Sequence, residues 1–129
     1  MWALVTKAKI EATVREWQTR LGLDGWKITV EVADTPDDSY AEIKPDVAYD
    51  SATFILSPGY VGWTPALANQ TVVHELLHLL VRDIDAVVED SRSQLHPQAS
   101  VQVEKRYEHE VEGFVDRLAA RIVELGGCA

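Results

Sequence analysis

The sequence predicts an α+β fold: an N-terminal helix, a small three-stranded sheet of antiparallel type, a motif-bearing helix and a C-terminal helix. Three observations carry this. Apolar residues recur at helical spacing near both ends of the chain, alternate with polar ones over 26–32, and are punctuated by turn residues through the middle.

Residues 2–21 read as the first helix, because Ile10, Val14, Trp17 and Leu21 form one stripe at 4-3-4 spacing. Gly22 suits the left-handed position after a helix, and Asp24-Gly25 makes the turn. Trp26, Ile28, Val30 and Val32 then alternate with Lys27, Thr29 and Glu31, as a half-buried strand requires. A polar turn over 34–39 leads to a second strand at 40–43, broken near Pro45. The third strand, 52–56, ends at Ser57-Pro58-Gly59. The strand before the motif helix is expected to be an edge that lines a cleft, where an extended peptide can add as a further strand.

Thr64-Pro65 reads as an N-cap followed by proline at the first helical position. The helix that starts there is expected to run to about Asp83 or somewhat beyond, with Val73, Leu76, Leu77 and Leu80 on its buried side. Residues 89–99, with Ser91, Ser93 and Pro97, read as a polar connection. The last helix spans 99–125, where Tyr107, Val111, Phe114, Leu118, Ile122 and Leu125 make a stripe, and Gly126-Gly127 stops it. No repeat or linker interrupts the 129 residues, so a single domain, 1–129, is expected.

The composition narrows the function. With 21 acidic against 12 basic residues and no basic run, the chain is expected to bind neither nucleic acid nor an anionic membrane. Lys7 and Lys9 interrupt the apolar residues after Trp2, which is unlike a secretory signal, and no apolar run has the length of a membrane span. The lone cysteine, Cys128, has no partner for an internal disulfide. A cytoplasmic protein is the expectation.

The chemistry concentrates in Val72-Val73-His74-Glu75-Leu76-Leu77-His78-Leu79-Leu80, which carries the pattern H-E-x-x-H. Residues four apart share a helix face, so His74 and His78 can close on one metal ion. Glu75, rotated by about 100°, can flank the ion without binding it. A zinc hydrolase needs two imidazoles on the metal and a carboxylate beside its water.

A catalytic zinc takes three protein ligands. Compact zinc hydrolases with a third histidine six residues after the second motif histidine are excluded, because Ile84 stands there. The last helix offers better candidates. Glu112 shares a face with Asp116 and borders the apolar stripe beside Val111 and Val115. Glu108 lies one turn earlier, His109 ranks third, and His96 is a remote option, whereas Glu110 points away to solvent.

H-E-x-x-H followed by a helix with E-x-x-x-D resembles the gluzincins, zinc peptidases whose third ligand is a glutamate on a later helix. Glu112-Gly113-Phe114-Val115-Asp116-Arg117-Leu118-Ala119 is similar to the E-x-x-A-N-x-F-A pattern of ImmA/IrrE-type and small phage-type metallopeptidases. Val115, Asp116 and Leu118 depart from Ala, Asn and Phe there, although Asp116 matches the broader gluzincin pattern. The order of elements over residues 26–125 also resembles the minimal gluzincins, which implies a zincin-like fold.

The resemblance implies one Zn²⁺ held by His74, His78 and Glu112, with Glu75 as general base and Asp116 orienting an imidazole, that of His74. It implies hydrolysis of peptide bonds in a peptide or protein, as an endopeptidase rather than an exopeptidase. A further donor for the developing oxyanion is expected among His96, Tyr107 and Tyr60. The alternative is a zincin-fold binding module that is catalytically silent or activated by a partner, since so short a chain leaves few residues for specificity subsites.

Overall fold

A computed structural model describes residues 5–126. Helix α1 spans Lys7–Arg20 and begins where the Thr6 side chain accepts a hydrogen bond from the Lys9 amide, 3.2 Å away. Its expected start at residue 2 therefore moves to the cap, and residues 2–4 lie outside the described residues. Ile10, Val14 and Trp17 are buried as the spacing predicts. Gly22 adopts the left-handed conformation (φ +73°) that lets the chain turn after the helix.

Strands β1 (Lys27–Val32), β2 (Ala41–Asp46) and β3 (Ser51–Leu56) form one sheet in the order β1-β3-β2. The sheet is mixed rather than antiparallel, since β3 runs parallel to β1 and antiparallel to β2. The connection over 33–40 carries the chain past the central slot to the far edge. A tight turn with Asp50 in the left-handed region (φ 46°) then returns it between its predecessors. The strand before the motif helix is thus the central one, with Ala52, Phe54, Ile55 and Leu56 buried. The edge beside the motif helix is β2. It runs through Pro45 rather than breaking there, because an edge strand can present the side that lacks an N–H to the outside.

Helix α2 (Pro65–Leu80) starts as the sequence predicts, with the Thr64 hydroxyl accepting from the Leu67 amide at 3.1 Å. It ends at Leu80. Val81, at φ −88° and ψ 1°, turns the chain directly into α3, Arg82–Arg92. The buried side of α2 holds Val73, Leu76, Leu77 and Leu79, whereas Leu80 is 45% exposed.

Helix α3 corrects the expected connection over 89–99, which shrinks to 93–96. Ser91 does not end the helix because its hydroxyl bonds back to the Val87 carbonyl. Asp83 and Asp85 near its start and Arg92 near its end complement the helix dipole. Arg92 also reaches Glu89 and Glu104, each at 2.7 Å, and so ties α3 to the last helix. Pro97 opens that helix, α4 (Pro97–Leu125), as Pro65 opens α2.

The face of α4 that meets the core is centred on Val115 and Ala119, flanked by Val111, Leu118, Ile122 and Val123. The expected stripe is rotated: Phe114, about 100° from Val115, is 49% exposed, and Leu125 is 71% exposed. On α4, Ala119 is fully buried. At the end of the helix Gly126 abuts Trp17 of α1, where an added Cβ would stand 2.9 Å from the indole. The core joins α1 (Ile10, Val14, Trp17), β3 (Phe54, Leu56), α2 (Val72, Val73, Leu76) and α4 (Val115). No helix among the described residues is long and apolar enough to cross a membrane.

Candidate metal centre

Two helices build the centre. The buried residues Val72, Val73 and Leu76 fix the rotation of α2, so His74 and His78 emerge together at the border between the core and the cleft. Val115 fixes α4 in the same way and places Glu112 and Asp116, one turn apart, opposite the histidines. His74, His78 and Glu112 each offer one ligand atom, and these atoms lie within 4.8 Å of one another.

The separations can be set against those around a metal ion. Ligand atoms each about 2.0–2.1 Å from a tetrahedral zinc stand about 3.3 Å apart. The two histidine Nε2 atoms are 3.3 Å apart, and His78 Nε2 is 3.3 Å from Glu112 Oε2. His74 Nε2 is closer, 2.7 Å from Glu112 Oε1. His74 Nδ1 lies 2.8 Å from Asp116 Oδ1, so both ring nitrogens face carboxylate oxygens. A neutral imidazole has one proton for those two acceptors. With the proton on Nδ1 for Asp116, the Nε2 lone pair is free for a cation between the helices. Burial pulls the His78 pKa below its usual value and so favours the neutral form that binds metals, while the nearby Glu112 carboxylate opposes that shift. The donor set therefore fits a divalent ion of the zinc type.

Glu75 sits beside this group without joining it. Its Oε2 accepts a hydrogen bond from the Ile43 backbone amide at 3.1 Å. Burial pushes its carboxyl up to about 8. The Ile43 bond opposes the rise, and Glu112 and Glu42 add to it. Nothing in the sequence pointed to Ile43, because a backbone donor leaves no side-chain signature.

Three cavities meet at the centre. One of about 510 Å³ runs along β2, lined by Ala41, Ile43, Pro45, Glu75, His78 and Arg82. A second, about 280 Å³, opens toward the start of α2 beside Tyr40, Leu67, Thr71 and Asp116. The third, about 300 Å³, lies between α3 and α4 and includes Asp85, Val88, Tyr107, Glu108 and Val111.

The other candidates are outside the three-residue group. Glu108 lines the third cavity but is not in the three-residue group, and His109 and Glu110 are exposed. His96 caps α4, its Nδ1 accepting from the Gln98 amide at 3.2 Å. The Tyr107 hydroxyl donates to Asp85; burial first and then that bond push its pKa up to about 12. Tyr60 packs edge-on against Trp63, with ring centroids 6.4 Å apart. Ile84 is exposed on α3, and Cys128 lies outside the described residues. A scan of known protein families gives no match, and neither do the curated proteins or the solved structures.

Proposed function

We propose that the chain is a zinc-dependent metallopeptidase of the gluzincin type, with a zincin-like fold, in which His74, His78 and Glu112 hold the ion. The observation that carries this reading is the convergence of those three side chains within 4.8 Å, with Glu75 next to them in the cleft. When bound, the zinc supplies a Lewis acid for the scissile carbonyl and lowers the pKa of water toward ~7. Asp116 holds the His74 ring through Nδ1. Glu75 takes the proton of the attacking water and delivers it to the leaving amine. A peptide substrate lies extended along β2, whose outer edge walls the largest of the three cavities.

The test is metal content and cleavage together. The expected result is one zinc per chain, lost with His78→Ala, greatly weakened with Glu112→Ala and retained with Glu108→Ala. Glu75→Gln should bind zinc and cleave no peptide. Wild-type protein that takes up no zinc after reconstitution, or undiminished cleavage by Glu75→Gln, refutes the assignment.

One observation favours a second reading, a zincin-fold binding module that is catalytically silent or completed by a partner. His96 serves as a helix cap, Tyr60 packs on Trp63, and the Tyr107 hydroxyl, although it lines the cavity between α3 and α4, is held by Asp85. Tight zinc binding with no cleavage of any peptide in a broad library would support that reading.

A further inference from the structure

We propose that the backbone amide of Ile43 is the positioning group for the Glu75 carboxylate, anchoring one oxygen to the sheet and leaving the other for the water. This rests on the peptidase reading above.

The strand geometry supplies the donor. The Tyr40 carbonyl accepts from Ser57 across the β2–β3 interface at 3.0 Å, so its backbone faces inward. Alternation along an antiparallel strand then turns Glu42 and Lys44 inward and Ala41, Ile43 and Pro45 outward. The Ile43 N–H therefore belongs to the open edge and is not needed for pairing with β3. It points instead at Glu75 Oε2, 3.1 Å away.

The bond is the sole hydrogen bond that the Glu75 side chain makes among the described residues, and Oε1 accepts none. Rotation of a glutamate carboxylate about its last torsion is broad and roughly two-fold, so an unanchored group exchanges its oxygens freely. A donor at Oε2 sets the plane of the carboxylate and assigns Oε1 to the cavity. Arg82 lines the same cavity, but its guanidinium lies over the Trp26 ring, 5.2 Å from the centroid, and does not bond Glu75. An amide fixed in a sheet neither ionises nor changes rotamer, which suits it to orient a base.

The strand also provides a perturbation. Pro45 already occupies the next outward position of β2 without an N–H, so Ile43→Pro can remove the donor while β2 stays paired. The expected result, on a quenched-fluorescent peptide that wild type cleaves, is a fall in kcat on the order of 100-fold with KM and zinc content kept. Ile43→Val, which retains the amide, should restore the rate. A rise in KM with kcat unchanged would assign the amide to substrate pairing and overturn the proposal.

A second measurement needs neither turnover nor the proline variant. The Ile43 amide resonance in a ¹⁵N–¹H spectrum should shift far more than the other β2 amides on Glu75→Ala, in metal-free and zinc-loaded protein alike. An Ile43 resonance that ignores Glu75→Ala overturns the proposal, whether or not the protein cleaves peptides. Should wild type cleave nothing, the peptidase reading fails while the amide shift still decides the contact.

Discussion

Replacing Asp116 by alanine tests the candidate centre through a residue outside the three-ligand group. Asp116 Oδ1 lies 2.8 Å from His74 Nδ1, a hydrogen bond between a carboxylate and a ring N–H. Without it, the His74 proton can sit on either nitrogen and the ring can turn, so part of the population presents no lone pair to the ion. Loss of such a partner weakens metal affinity by about 10–100-fold. The Asp116 side chain is 64% exposed, so water screens the bond and replaces part of it, which points to the lower end. Asp116→Ala is therefore expected to weaken zinc binding about tenfold, or ~1.4 kcal/mol. Competition against a chromogenic chelator measures the change, and the difference should narrow at high salt. An affinity within about twofold of wild type, with the fold intact, would refute the reasoning.

Two further predictions concern stability. Val115→Ala removes a side chain with 0% exposure and should cost about 2 kcal/mol, whereas Phe114→Ala, on the exposed side of the same helix, should stay within about 0.5 kcal/mol; urea denaturation compares them, and equal losses would contradict the observed rotation of α4. In metal-free protein, Glu75 keeps a proton up to about 8 that the unfolded chain loses near the ordinary carboxylate value of 4.5. Its contribution to stability is therefore fully present below the unfolded value and is lost as pH rises through that window, on the order of a few kcal/mol. Glu75→Gln should flatten this slope in denaturation curves taken with a chelator, and parallel curves for the two proteins would show that burial does not hold the carboxyl protonated.

The parts of the fold that were legible in the sequence are those set by neighbours along the chain. Thr64-Pro65 marked the start of α2, and Ile10, Val14 and Trp17 marked the buried face of α1, because caps and helical faces are local properties. The pairing of β3 between β1 and β2 was not legible, since three short strands with turns between them are compatible with several orders. Helix α3 was hidden by Ser91, Ser93 and Pro97, residues that signal loops; Ser91 is absorbed by a bond to its own helix, and Pro97 starts the next one. On α4 the large Phe114 drew the expected stripe away from the small Ala119, which is the buried one of the two. Within the candidate centre, the spacing of His74, His78, Glu112 and Asp116 could be read as shared helix faces. The Ile43 amide contact could not, because it depends on β2 being the edge strand beside α2.

The division of the centre between α2 and α4 has a consequence for folding. His74 and His78 belong to one turn and come together whenever that turn is helical. Glu112 and Asp116 arrive only when α4 docks, and Val115 and Ala119 are its sole fully buried residues. An ion that takes ligands from both helices binds the docked chain in preference to any other and stabilises it by mass action. Under the proposed reading, metal loading would act as a clasp on the last helix, and slower amide exchange along α4 would report its closure.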